Sequence, residues 1–133
     1  MTPPRLALVI LGVADVVRSA RFYAAAFGWT QTVDASPHYA EFVLPGGTTG
    51  LGLYRRADFA GTCGAAPAEI PTEGVAPSEL YVRVEDVDAA SAALVAAGAR
   101  ALSPRARRGW GDDAAYFADP DGHVVAVSRP SHD

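Results

Sequence analysis

The chain has 133 residues, half of them apolar, with eleven basic against fifteen acidic side chains for a formal charge of −4. That length suits one compact domain with a single core, and that charge excludes phosphate-backbone binding as a starting expectation, so no nucleic-acid partner is expected. A single cysteine, Cys63, rules out an internal disulfide framework, no secretory leader pattern opens the chain, and no apolar run reaches the ~18 residues of a bilayer span; a cytoplasmic protein with no membrane partner is expected.

Leu6 to Val13 is a continuous apolar run between Pro4 and Asp15, as a strand covered on both faces would be. From Val16 to Phe27 the apolar positions Val16, Ala20, Tyr23 and Phe27 recur at helical spacing, with Asp15 placed to cap the start and Gly28 to end the helix. Trp29 to Val33, Tyr39 to Leu44 and Leu51 to Arg55 read as short strands separated by Ser36-Pro37 and Pro45-Gly46-Gly47. Residues 57–77 are rich in Gly, Ala, Pro and Thr, hold no period, and read as a linker long enough to fold over the surface as a lid. The order then restarts: a strand over Glu79 to Val84, a helix over Val87 to Ala97 between Asp86 and Gly98, and strands near Ala99 to Ser103, Ala114 to Ala118 and His123 to Ser128. The tail from Arg129 onward is expected to fray.

The two halves repeat each other. Leu11-Gly-Val-Ala-Asp15-Val matches Val82-Arg-Val-Glu-Asp86-Val at a spacing of 71, and Glu41-Phe-Val-Leu-Pro45-Gly-Gly47 matches Tyr116-Phe-Ala-Asp-Pro120-Asp-Gly122 at a spacing of 75. Each copy is one β-α-β-β-β unit. The expected fold is therefore α+β, a single domain over 1–133 made of a module at 5–56, the linker at 57–77 and a module at 78–129.

Two such copies, with RSARFYAAAFGW in the first and ADPDGHVVAVSRP closing the second, resemble the vicinal oxygen chelate superfamily of glyoxalases, bleomycin-resistance proteins and extradiol dioxygenases. The resemblance covers nearly the whole chain except the linker and the last residues. It implies a curved mixed sheet around a ligand cavity, commonly completed in a homodimer. Enzymes of that superfamily hold a divalent metal at four repeat-related places, on the first and the last strand of each unit. Here those places fall on Leu8, Glu79, Leu51 and Ala126, and a slip of two residues exchanges Leu51 for Leu53 without supplying a donor. Glu79 alone could coordinate, whereas a catalytic site normally needs about three protein ligands. No metal and no cofactor are expected. His38, His123 and His132 fall at a strand entrance, after a turn and in the tail, and read as structural or surface residues.

Strand alternation assigns the cavity face. Leu80, Val82 and Val84 should meet the second helix, leaving Glu79, Tyr81 and Arg83 on the other side; the same alternation brings Leu8 and Ile10 there, and Leu51, Leu53 and Ala126 are expected to join them. The result is an apolar cup with a few polar groups, suited to a hydrophobic small molecule. Glu79 and Arg83 each need a partner, water or a ligand, and a ligand of Arg83 would be a carboxylate or another planar anion. Trp110-Gly111 resembles the loop lining the drug groove of bleomycin-resistance proteins, where Trp110 could stack on a ligand or plug the loop against the sheet. Arg105, Arg107 and Arg108 read as a solvated edge before an anion site, and Cys63 as a free thiol. Trp29, Phe22, Phe27, Phe42 and Phe117 are core candidates.

The reading that follows is a metal-free protein that binds a hydrophobic or aromatic metabolite or antibiotic, with Leu8, Ile10, Leu51, Leu53, Glu79, Tyr81, Arg83, Trp110, Gly111 and Ala126 lining the site. The alternative is a lyase, isomerase or dioxygenase of the glyoxalase type. It would be either cofactorless, with Glu79 as a catalytic base raised in pKa by apolar surroundings, or metal-dependent.

Overall fold

The same strand connection is used twice, and each use builds its own four-stranded sheet. A computed structural model describes residues 2–132. The chain divides into two compact units, one formed by residues up to 24 and 28–69, the other by 25–27 and residues from 70 onward.

The first unit contains β1 (Leu8–Val13), α1 (Val16–Phe27), β2 (Thr30–Ala35), β3 (Tyr39–Val43), β4 (Gly50–Arg55) and α2 (Arg56–Thr62). Its sheet runs β1-β4-β3-β2, with β1 parallel to β4 and the remaining pairs antiparallel. The Asp15 side chain accepts from the Arg18 amide at 3.0 Å, and Gly28 closes α1 in the left-handed region at φ 66. Such a cap contributes about 1 kcal/mol because it satisfies an amide the helix leaves orphaned. One face of the sheet buries Leu11, Val13, Ala40, Phe42, Leu51 and Leu53, and α1 buries Val16, Ala20, Phe22 and Tyr23. Trp29 and Phe27 are only half-buried, with the Trp29 ring stacked parallel to Tyr23 at 6.1 Å.

The second unit repeats the plan with β5 (Glu79–Arg83), α3 (Val87–Ala97), β6 (Arg100–Arg107), β7 (Asp112–Ala118) and β8 (Val124–Pro130), in the order β5-β8-β7-β6. β5 is parallel to β8, and the other pairs are antiparallel. Asp86 and Gly98 cap α3 as Asp15 and Gly28 cap α1. α3 lies against β6, β7 and β8, where Val87 and Leu94 are buried with Phe117, Val125 and Val127.

The Asp119-Pro-Asp-Gly turn is a structural device. Asp119 Oδ1 accepts from the amides of Asp121 and His123, each at 2.9 Å, and Gly122 takes φ 83. A Cβ at Gly122 would stand 2.9 Å from the Pro71 ring, while the Gly122 carbonyl accepts from Ala76 at 2.8 Å. The bare turn thus provides the seat for the segment entering β5.

Three expectations need correction. The stretch read as an unstructured linker opens with α2, which lies against β4 and β1; seven residues carry too little period to register, and docking rather than propensity makes the helix. Asp58 fixes it, with Oδ2 accepting from Arg55 Nε and bonded to His38 Nδ1, both at 2.8 Å. Those contacts hold the Asp58 carboxyl below its ordinary range, the Arg55 bond first. The edge strand β6 runs through Pro104 to Arg107, beyond the expected end near Ser103, because an edge strand tolerates a missing amide. Finally, Arg129 and Pro130 belong to β8 rather than to a frayed tail, and Arg129 Nη1 donates to the Glu85 carbonyl at 2.8 Å.

Candidate functional site

In the second unit, pairing aligns Tyr81 with Ala126 and Ala126 with Tyr116, so all three share one face; Glu79–Val124–Ala118 and Arg83–Ser128–Ala114 form the rows on either side. The residues of β8 in this face are small. Over them the Tyr81 and Arg83 side chains reach from β5 to β7, where Asp112 Oδ2 accepts from the Tyr81 hydroxyl at 2.6 Å and from Arg83 Nη1 at 3.0 Å. The Trp110 indole N–H donates in turn to the Tyr81 oxygen at 2.8 Å. Tyr81 first, and then Arg83, hold the Asp112 carboxyl below its ordinary range. The outcome is a chain of directed bonds from indole to carboxylate that fixes two aromatic rings while leaving Trp110 61% and Tyr81 39% exposed.

This arrangement decides several readings. Trp110 is not a plug: its nitrogen is anchored and its ring is exposed. Gly111 serves the turn beside it, at φ 94, with its amide donating to the Arg108 carbonyl at 3.2 Å. Arg83 has its partner in Asp112 rather than an empty anion site. Ala126 faces the expected way but is fully buried between Tyr81 and Tyr116. Glu79 is exposed, so the apolar enclosure expected of a base is not found around it. Its charge nevertheless acts on Tyr116, whose hydroxyl is raised in pKa by burial first and by Glu79 second. Arg108 is half-buried rather than part of a solvated edge: its guanidinium lies 5.0 Å from the Tyr116 ring centroid and donates to the Ala114 and Pro104 carbonyls.

In the first unit, Leu8 pairs with Gly50 and Ile10 with Gly52, while Leu51 and Leu53 pair with Val9 and Leu11. The expectation that Leu51 and Leu53 join Leu8 and Ile10 is therefore wrong. Both leucines are buried on the opposite face. The repeat spacing is 75 at the turn, but in the last strands Gly50 corresponds to Val124, because Leu8 corresponds to Glu79. One residue of slip in a strand exchanges its faces.

The Ile10 face carries residues that the sequence reading passed over. Across it run the rows Leu8–Gly50–Val43, Ile10–Gly52–Glu41–Val33 and Gly12–Tyr54–Tyr39. Gly52 is required by close approach: a Cβ there would stand 2.6 Å from the Tyr39 oxygen and 3.0 Å from Ile10 Cγ1. The Tyr39 hydroxyl donates to Glu41 Oε1 at 2.7 Å, and burial followed by that bond raises the hydroxyl well above its ordinary range. Tyr54 meets Tyr39 edge-on at 5.6 Å and tilts toward Phe59 of α2 at 6.2 Å. Asp112 on one side, and Glu41 with these rings on the other, were missed for different reasons. The strand boundaries placed Asp112 outside its strand, and alternation was not followed along β3.

The donor set does not fit a divalent cation. On these faces the first and last strands present Leu8, Ile10, Gly50, Gly52 and Tyr54 in one unit, and Glu79, Tyr81, Val124, Ala126 and Ser128 in the other. Among the described residues no group of three or more His, Cys, Asp or Glu side chains is gathered.

With this geometry in place, comparison with known proteins gives a consistent answer. A family model described as a glyoxalase-like domain matches residues 8–128. A curated relative, "Putative glyoxylase CFP32" of Mycobacterium bovis, is 30% identical over 123 residues, 90% of this chain. The match covers 43% of that relative's length, so the chain spans less than half of it. Among solved structures, a glyoxalase-related enzyme from Fulvimarina pelagi superposes with a TM-score of 0.80 at 28% identity, covering 93% of this chain and 86% of that one. TnmS3, an antibiotic binding protein from Streptomyces sp. CB03234, superposes with a TM-score of 0.70 at 25% identity, covering 98% and 99%. The paired β-α-β-β-β sheets and the span of the family match agree: this chain belongs to the glyoxalase-like domain family.

Proposed function

We propose that this chain binds a hydrophobic or aromatic small molecule, a metabolite or an antibiotic, without a metal or cofactor. The observation that carries the reading is the Trp110 indole, exposed yet held by its nitrogen in the bonded chain through Tyr81 to Asp112 and Arg83. An aromatic platform immobilised before the ligand arrives loses little rotational freedom on binding, and its free face is available for stacking. The antibiotic-binding relative TnmS3 supports the same reading. Gly111 would position the Trp110 loop, and Leu8 and Ile10 would offer an apolar surface on the first unit's own sheet. Glu79, Tyr81 and Arg83 would orient polar groups of the ligand.

Equilibrium dialysis of chelator-treated protein against a panel of aromatic compounds, antibiotics included, tests this reading. Saturable uptake with the compound recovered unchanged is the expected result. Retention of nothing across the panel, or uptake only after a divalent metal is restored, contradicts it.

The names of the glyoxylase and glyoxalase-related relatives favour a second reading, turnover of the lyase, isomerase or dioxygenase type. The group available for it is Glu79, whose charge reaches the Tyr116 hydroxyl. Turnover abolished by Glu79→Gln would establish that role. We also propose that the protein works as a homodimer in the cytoplasm; sedimentation at monomer mass across dilution would rule the dimer out.

A further inference from the structure

The first unit carries on its own sheet a carboxylate, Glu41, that has no counter-charge among the described residues. Glu41 is half-buried in a cleft of about 290 Å³ that Leu8, Val43, Gly50 and Arg5 also line. Ile10 and Val33 flank it in its own row across the sheet, and Ile10, Val33 and Val43 are all exposed large hydrophobics. Its carboxylate takes one hydrogen bond, from the neutral Tyr39 hydroxyl. Among the described residues no cation pairs with it, whereas Asp58, Asp88 and Asp112 each take an arginine. Arg5, on the same cleft, donates to the Thr48 carbonyl at 3.2 Å. In the second unit, by contrast, Arg83 neutralises Asp112.

A carboxylate among apolar and aromatic groups is costly unless something positive or donating reaches it. Here Tyr39 holds one carboxylate oxygen in place and leaves the other open, and the ring of Tyr39 continues into Tyr54 and Phe59 along the same unit. An aromatic surface ending on a fixed negative charge is complementary to a flat apolar body carrying a protonated nitrogen, through charge-assisted bonding at the carboxylate and cation–π attraction at the rings. We infer that the Ile10 face of the first unit is itself a binding surface for an aromatic or hydrophobic cation, and that Glu41 sets its specificity by receiving the protonated nitrogen. This rests on the binding reading above.

The test is calorimetric titration of the whole chain at neutral pH with three planar probes of one size: 9-aminoacridine as the cation, acridine as the neutral form and acridine-9-carboxylate as the anion. The cation should bind on the order of 10-fold more tightly than the neutral probe, and the anion least well. In Glu41→Gln, which keeps an oxygen for Tyr39, the cation should fall to the affinity of the neutral probe, whose own binding stays unchanged. Equal binding of cation and neutral probe by the native chain, or a preference that persists in Glu41→Gln, overturns the role of Glu41 and leaves the binding reading standing. Binding of none of the three, with no uptake from the wider panel, removes both.

Discussion

The two units share a topology and differ in what they do with one row of the sheet. In the first, Ile10–Gly52–Glu41 has a glycine at its centre, and the space is taken by the Tyr39 ring leaning in to bond an unneutralised carboxylate. In the second, Tyr81–Ala126–Tyr116 has a small side chain at its centre, over which Tyr81 and Arg83 reach to a carboxylate that the arginine neutralises. Duplication has kept the framework, namely the Asp and Gly helix caps and the strand order, while the chemistry of the exposed row has diverged. The second unit holds a rigid platform; the first leaves a charge to be answered.

The largest expected effect separates the two faces of the first sheet. Leu53→Ala removes a side chain with 0% exposure and should cost about 2–5 kcal/mol in denaturant unfolding. Ile10→Ala, at a position 39% exposed, should leave stability nearly intact and weaken ligand uptake. The reverse pattern would mean that the assignment of faces is wrong. Next comes the central row. Gly52→Val forces Tyr39 and Ile10 aside and should destabilise by about 1–3 kcal/mol. Its counterpart Ala126→Gly loses only one methyl group and some backbone restriction, about 1 kcal/mol. Equal costs at the two positions would remove the distinction between the rows.

Smaller effects follow from pH, with opposite signs for the carboxylate Asp112 and the phenol Tyr39. Asp112 lies below its unfolded value of about 3.9, so its contribution is complete above that range and is lost as pH falls through the folded value. Asp112→Asn should flatten that part of the acid limb of a stability profile. Tyr39 lies above its unfolded value of about 10, so its contribution is complete below that range and is lost as pH rises. Tyr39→Phe should flatten part of the alkaline limb, and Tyr116 adds a similar alkaline dependence in the second unit. A Tyr39→Phe profile that overlays the native one would show that the Tyr39 hydroxyl is neither buried nor bonded to Glu41 in solution.

Much of the framework was legible in the sequence because it rests on local rules. Asp15 and Asp86 precede apolar helical periods, and Gly28 and Gly98 follow them, so both long helices coincide with their expected limits. The site was legible where alternation alone decides, as for Glu79, Tyr81 and Arg83 on one side of β5. It failed at Leu51 and Leu53, where a turn spacing was carried into a strand one residue out of step. Asp112 and Glu41 depend on side chains reaching across strands, and α2 on docking through Asp58, His38 and Arg55. Those are tertiary relations with no local period to betray them.

The measurement closest to the central claim is the emission of Trp110 in a Trp29→Phe variant, which makes it the only indole, during titration with an aromatic compound taken up in dialysis, in the presence of chelator. The account predicts saturable quenching at the dialysis affinity, with Trp110→Ala weakening uptake while thermal stability is unchanged. Emission that stays constant to saturation, or that responds only after a divalent metal is added, would contradict it.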